Sequence, residues 1–228
     1  VTGGSRGIGA AVARRLAADG DEVTVADLHT DAVEGTLPPE VRTATVDVTR
    51  EDEVRALLGD FDRVDVLVNA AGVIARDREY EIDAFERVVA VNLTATMRCC
   101  LAAREALGAA RHGCVVNVAS MLSFFGGPRV PAYSASKGGV VQLTKALAVA
   151  WAAEGIRVNA VAPGWIRTGL TDNVREDDEA NRRILTRTPM RRWGEPGEVA
   201  GAVAFLAGAD AAFVTGTVLA VDGGYLAA

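Results

Sequence analysis

Three residues in the middle of the chain could move a proton. Ser120, Tyr133 and Lys137 lie within the stretch SMLSFFGGPRVPAYSASK. Tyr133 and Lys137 are four positions apart, so on a helix they share a face and the ammonium stands beside the phenol. A free Tyr has a pKa near ~10, and making it an acid/base near neutrality means favouring the phenolate by roughly 4 kcal/mol. A neighbouring cation works in that direction. Ser120 is then placed to hydrogen-bond the substrate oxygen that gains or loses the proton. Alone, a Tyr and a Lys at this spacing are more often ordinary helix residues than a catalytic pair, so the surrounding motifs must decide.

Such side chains need rigid elements behind them. Strand-like runs at Glu22–Asp27, Arg42–Val46, Val64–Asn69, Gly113–Ala119, Arg157–Ala162 and Thr217–Val221 alternate with helical ones. Several are continuous Val/Ala/Leu runs, as expected of parallel strands covered on both faces. No repeat, low-complexity linker or composition break divides the chain. The expectation is one doubly wound α/β domain spanning 1–228, a parallel sheet with helices on both faces. The chain begins at Val1, without Met, where a first strand should be ending, so residues of that strand are expected before Val1.

The opening TGGSRGIG runs into AAVARRLAADG, an amphipathic helical pattern. Gly3, Gly7 and Gly9 allow a tight turn whose backbone N–H groups approach a pyrophosphate at the helix N-terminus. The spacing is GxxxGxG, not the usual GxGxxG dinucleotide fingerprint, and alone it reads as readily as a simple turn. The next strand, EVTVAD, ends in Asp27. A carboxylate there can accept from both hydroxyls of an adenosine ribose and would repel a 2′-phosphate, which argues for NAD over NADP.

TGGSRGIG, NVAS ending at Ser120, and YSASKGG together resemble the short-chain dehydrogenase/reductase family over essentially the whole chain. The resemblance implies a Rossmann-type fold and a catalytic tetrad of Asn92, Ser120, Tyr133 and Lys137, with Asn92 supporting a water that links Lys137 to solvent. Lys137 would also bind the nicotinamide ribose. The same resemblance assigns the cofactor loop to Thr2, Gly3, Ser5, Arg6, Gly7, Ile8 and Gly9, and the adenosine side to Asp27, Leu28, Asp47 and Val48. Asn69, Ala70, Ala71 and Gly72 would let backbone and cofactor come close. Pro163 and Gly164 would pass the nicotinamide, with Ile166 and Thr168 on its carboxamide. Arg6 points the other way from Asp27, because in NADP-using relatives an Arg in this loop can serve the 2′-phosphate. NAD is the expected cofactor.

Between Ser120 and Tyr133, and again in RWGEP and VDGGYLA, the sequence more narrowly resembles the branch of sugar-acid dehydrogenases that contains 2-dehydro-3-deoxy-D-gluconate 5-dehydrogenases. A carboxylate substrate needs a cation near the cleft. Arg76 and Arg129 are the candidates, each of which singly reads as readily as a surface Arg, and Trp165 is a further candidate for substrate contact. The charged stretch Gly169–Arg191 is expected to form a mobile lid, although such runs are usually just solvated faces. The competing enzyme is an NADPH-dependent 3-oxoacyl thioester reductase, which Asp27 opposes. A non-enzymatic dinucleotide-binding regulator would be expected to show a broken tetrad, and all four residues are present.

Composition narrows the partners. With 228 residues, half of them hydrophobic, the chain can bury a sizeable core. A net charge of −6 and no clustered basic face argue against nucleic acid. Cys99, Cys100 and Cys114 lack CxxC spacing, and His29 and His112 stand apart, so no disulfide framework and no metal are expected. No apolar run reaches membrane-spanning length, and a cytoplasmic protein is the default. The helix following Tyr133, GGVVQLTKALAVAWAAEG, is apolar on more than one side. That suggests burial against another subunit, and family relatives are usually tetramers.

Overall fold

Residues of alternating destination build the sheet. In the computed structural model, which describes residues 1–30 and 37–228, Val25, Val68 and Val116 enter one core and their neighbours Ala26, Leu67 and Val115 enter another. Both faces of the strands are therefore dry, which is why they read as continuous apolar runs. The strands are β1 (Thr24–Asp27), β2 (Arg42–Thr45), β3 (Val66–Asn69), β4 (Cys114–Val118), β5 (Arg157–Pro163) and β6 (Val218–Val221). All six expected strands are present. Most are one or two residues shorter than the sequence pattern, chiefly at their first residues, which lie outside the paired ladder; β5 runs one residue further.

Every pairing is parallel. β2 lies beside β1, and β3, β4, β5 and β6 follow one another in order. The two groups meet at the start of the chain, where Thr2 bridges Ala26 on one side and Asn69 on the other. The Thr2 N–H donates to the Val68 carbonyl at 2.9 Å and the Gly3 N–H to the Ala26 carbonyl at 2.8 Å. Strand order thus runs outward in both directions from Thr2, and a crevice opens at the carboxyl ends of the strands there.

The helices are α1 (Gly7–Ala18), α2 (Glu51–Gly59), α3 (Ile82–Val89), α4 (Ala95–Gly108), α5 (Pro131–Trp151), the short α6 (Asp172–Arg175), α7 (Asp178–Arg187) and α8 (Pro196–Ala207). Side chains of α1 and α8 fill one face of the sheet, and those of α2, α4 and α5 fill the other. The segment expected as a lid is largely helical. Asp177 caps α7 by accepting from the Glu179 and Ala180 N–H groups, and Val174, Ile184 and Trp193 form a small apolar cluster beneath it. Its charges lie on the outer face of an amphipathic helix. None of the helices among the described residues is long and apolar enough to cross a membrane.

A buried polar chain ties α5 to the sheet. The Asn69 amide donates to Asn117 Oδ1 at 2.9 Å, the Asn117 amide donates to Thr144 Oγ1 at 2.9 Å, and Thr144 donates to the Val140 carbonyl at 2.8 Å. Asn117 and Thr144 are completely buried, so each lost partner leaves a desolvated polar group worth roughly 1–3 kcal/mol. Asn117→Ala is therefore expected to lower unfolding free energy by about 3 kcal/mol, measured by urea denaturation with an unchanged slope.

Candidate active site

Helix α5 sets the site. Pro131 opens it, and its first turns place Tyr133 and Lys137 on one face. Ser120 follows the end of β4 and starts a short 3-10 turn, accepting from the Leu122 N–H at 3.1 Å. Ser123 in that turn accepts from the Ser120 N–H at 3.2 Å and donates to the Lys137 carbonyl at 2.8 Å. Ser120 is thereby fixed to the helix that carries Tyr133, and its hydroxyl hydrogen-bonds the phenol. Lys137 is 4% exposed. Its ammonium donates to the Val118 carbonyl at 2.7 Å and lies 5.8 Å from the centre of the Tyr133 ring.

Asn92 sits in a π-helical turn, Ala90–Thr94, between α3 and α4. The extra residue in such a turn re-aims a side chain that a continuous α-helix would point elsewhere. Completely buried, Asn92 accepts from the Val73 N–H at 2.8 Å and donates to the Val73 carbonyl at 3.0 Å and to Ser136 Oγ at 3.1 Å. A Cβ built on Gly72 would stand 3.4 Å from Asn92 Oδ1 and 3.6 Å from Lys137 Nζ. Asn92, Lys137 and the end of the Asn69–Gly72 loop therefore converge.

The electrostatics differ from the simple picture of a Lys lowering a Tyr. Burial pushes the Tyr133 phenol above its usual range; the Ser120 hydrogen bond and the Arg76 cation pull it down, and the Glu79 carboxylate adds to the rise. Lys137 stands 5.8 Å from the ring centre. Burial lowers its own pKa to about 8, and its proton is directed at the Val118 carbonyl. Desolvation of the phenol outweighs the neighbouring cation in this geometry.

The opening loop has the properties of a phosphate cradle. Gly3 and Gly7 have φ of +64° and +54°, and a Cβ on Gly3 would lie 2.5 Å from the Ala71 Cα. Arg6, the residue before α1, offers no side-chain cap to the first-turn N–H groups, and the buried Ser5 hydroxyl has no partner. Those unfilled donors, with Ile8 and Gly9 in the first turn, fit the pyrophosphate of a nicotinamide dinucleotide. Asp27 accepts from the Ser5 N–H at 3.1 Å, and Leu28 next to it is half exposed. Across the crevice, Thr168 approaches the loop closely enough that a Cβ on Gly7 would meet it at 3.2 Å. Pro163 ends β5, and a Cβ on Gly164 would crowd Asp222 at 2.7 Å. Ile166 is buried and bridges to Gly194.

Several of the expected site residues have partners within the protein. The Asn69 side chain points into the core, toward Asn117 and the Cys100 sulfur. Asp47 is held by the Thr49 N–H and hydroxyl at 2.8 and 2.7 Å, which keeps its carboxyl below the usual range, and the Val48 carbonyl takes a bond from Arg98. Trp165 packs edge-on against Trp193 at 5.6 Å. It lines a cavity of about 340 Å³ that contains none of Ser120, Tyr133 or Lys137. Among the described residues no group of His, Cys, Asp and Glu is arranged to hold a metal.

The two candidate cations have different fates. Arg129 is occupied by Asp77 in a two-pronged ion pair, with Nε to Oδ1 at 2.6 Å. Arg76 is half-buried, feels Tyr133, Asp77 and Glu79, and makes no hydrogen bond or ion pair among the described residues. Glu79 went unnoticed in the sequence. Only 1% exposed, it accepts from the Ala75 and Tyr133 N–H groups at 2.9 and 2.8 Å. Its only sequence signal is a charge inside a charged run, which looks like surface.

The depressed Lys137 pKa gives a stability signature. Between about 8 and the ordinary 10.5 the unfolded chain holds the Lys137 proton and the folded chain does not, so stability rises with pH across that window. Relative to Lys137→Met, the native protein is expected to gain up to about 3 kcal/mol as pH goes from 8 to 10.5, followed by denaturation at fixed ionic strength.

Residues 3–226 match the family model described as enoyl-(acyl carrier protein) reductase. The 2-dehydro-3-deoxy-D-gluconate 5-dehydrogenase of Bacillus subtilis is 38% identical over 99% of this chain and 93% of its own. The cis-4-hydroxycyclohexanecarboxylate dehydrogenase of Sinomonas cyclohexanicum is 43% identical over 100% and 95%. Among solved structures, a candidate NAD(P)-dependent gluconate 5-dehydrogenase from Beutenbergia cavernae, with NADP bound at low occupancy, superposes with a TM-score of 0.94 at 39% identity, covering 100% of this chain and 96% of that one. With its parallel sheet, its glycine loop at the switch point and its Ser, Tyr and Lys on one wall, the chain belongs to the short-chain dehydrogenase/reductase family and is an oxidoreductase that interconverts secondary alcohols and ketones.

Proposed function

We propose that the enzyme uses NAD to interconvert the alcohol and ketone forms of a carboxylate-bearing substrate, a sugar acid of the 2-dehydro-3-deoxy-D-gluconate kind. The observation that carries this reading is Arg76, a half-buried guanidinium beside Tyr133 with no ion-pair partner among the described residues. A planar cation in that position suits a carboxylate held in two-point contact. The relatives named above act on a sugar acid and a ring hydroxycarboxylate, which supports the same class. Asp27 supports NAD, since its carboxylate at the end of β1 would repel a 2′-phosphate.

In this reading the dinucleotide supplies the hydride acceptor or donor. Tyr133 takes the hydroxyl proton in oxidation and returns one in reduction, and Ser120 orients the substrate oxygen toward it. Lys137 holds the nicotinamide ribose and, with Asn92 behind it, carries the proton toward solvent. The Gly3–Gly9 loop binds the phosphates.

The test is reduced-dinucleotide formation from NAD or NADP over a panel of hydroxy sugar acids. Turnover with NAD is expected, falling at least about 100-fold in Tyr133→Phe. Arg76→Ala is expected to raise KM about tenfold with kcat little changed, a loss near 1.4 kcal/mol of uniform binding. A preference for NADP, or activity confined to 3-oxoacyl thioesters, would sink the assignment.

We infer further that the enzyme is a cytoplasmic homotetramer. Leu101 on α4 and Val149 on α5 are 52% and 82% exposed, and large apolar side chains on adjacent outer helix faces suit a subunit contact. Three buried free cysteines suit a reducing compartment. Light scattering is expected to give four times the chain mass, falling with Val149→Glu; a monomer in the native protein would refute it.

A further inference from the structure

Helix α5 has no cap of its own. The residue before it is Val130, whose side chain cannot accept a hydrogen bond, and no side chain of the helix substitutes. Pro131 has no N–H to satisfy. Tyr133 occupies the third helical position, where the N–H has no partner within the helix. Glu79, 54 positions earlier in the chain, meets that N–H at 2.8 Å. Its second oxygen meets the N–H of Ala75 at 2.9 Å, one residue before Arg76. One carboxylate, 1% exposed, therefore ties the backbone of the phenol-bearing residue to the backbone that presents the free guanidinium.

The surroundings make this a stiff connection. Asp77, between Arg76 and Glu79 in sequence, has φ of +69°, a backbone conformation that non-glycine residues rarely adopt. It is held there by its ion pair with Arg129 and by its N–H donating to the Arg129 carbonyl at 3.0 Å. Tyr80 donates to the Pro128 carbonyl at 2.8 Å. The loop carrying Arg76 is thus laced to the segment leading into α5 on its exposed side by Asp77 and Tyr80, and on its buried side by Glu79. A surface pair of this sort is individually weak. The buried charge-assisted bonds at a helix N-terminus are not.

We propose that Glu79 is a positioning residue: it anchors Tyr133 and fixes its separation from Arg76, so that substrates are selected by the distance between carboxylate and reacting carbon. The selection half rests on the carboxylate reading of Arg76; the anchoring half does not. Gln at this position has one acceptor oxygen, so it can serve one of the two N–H groups and must leave the other unpaired.

The experiment compares Glu79→Gln, Arg76→Ala and the double variant with 2-dehydro-3-deoxy-D-gluconate and its uncharged primary amide. Glu79→Gln is expected to lower kcat tenfold or more with both compounds and to raise KM about tenfold with the acid alone. In the double variant, KM for the acid should rise no further than in Arg76→Ala, because both changes remove one interaction. Additive effects on KM would overturn the selection half. A substrate-free measurement stands beside the kinetics: ultraviolet titration of the Tyr133 phenol, taken as the difference from Tyr133→Phe. The groups facing this phenol are Arg76 and Glu79 from the loop, Ser120 after β4 and Lys137 on α5. Removing the Glu79 charge should move the titration to lower pH, and an unmoved titration with unchanged kcat would overturn the proposal. If Arg76→Ala leaves KM for the acid unchanged, the carboxylate reading fails by itself, while loss of kcat in Glu79→Gln still upholds the anchor. Should Glu79→Gln fail to fold, Glu79→Asp, with the same charge on a shorter arm, carries the same expected split in kcat and KM.

Discussion

A helix that carries both a phenol and an ammonium can place them only as well as its own first turn is placed. In α5 that turn begins after a valine, so the orphan N–H groups must be met from outside. The structure meets them with a carboxylate buried to 1% exposure, a choice that costs desolvation and is tolerable because two backbone donors and the positive end of the helix converge on it. Ser123 secures the next turn through the Lys137 carbonyl, and the Asn69–Asn117–Thr144 chain secures the middle of the helix to the sheet. These contacts come from β3, β4 and the segments that follow them, so the helix position is tied to the middle of the sheet. The geometry of Ser120, Tyr133 and Lys137 is a consequence of that tie.

Burial has a second effect at the same place. Taking a phenol and an ammonium out of water favours the neutral form of each, which raises Tyr133 and lowers Lys137 to about 8. The two groups are thereby moved apart on the pH scale, each toward its neutral form. A proton passing between substrate oxygen and Tyr133 then meets a hydrogen-bonded acceptor in Ser120 and a nearby ammonium whose proton is held less tightly than in water. The opposing charges of Arg76 and Glu79 set the final balance, and both belong to one short loop.

Much of this was legible in the sequence. Continuous apolar runs gave the strands because both faces are covered, and the glycines of the opening loop gave the turn because a side chain there would collide with Ala71. Ser120, Tyr133, Lys137 and Asn92 are brought together on and around α5. Other residues resisted reading for specific reasons. Asn69 sits in a cofactor-like motif, yet its amide has a better partner in the core. Asn92 lies in a π turn, whose extra residue breaks the period from which facing positions are counted. The charged stretch after β5 hid the apolar spacing of Val174 and Ile184 beneath the surface of α7. Glu79 is the clearest failure: a carboxylate is read as exposed unless its partners are known, and its partners are backbone N–H groups that no composition or spacing reveals.

The pair Arg76 and Arg129 shows where such reading must stop. Both are arginines in loops beside the same crevice, and residue type alone makes them equal candidates. Asp77 breaks the equality, because its carboxylate forms an ion pair with Arg129, while Arg76 feels it only as a nearby charge. One arginine then serves as a fastener and the other has no ion-pair partner among the described residues. A half-buried guanidinium loses solvation that the nearby Asp77 and Glu79 charges replace only in part, since burial still dominates. In the proposed reading, a carboxylate bound beside Arg76 replaces part of that lost solvation. On that reading, the ion pair that commits Arg129 to Asp77 leaves Arg76 as the cation available for recognition.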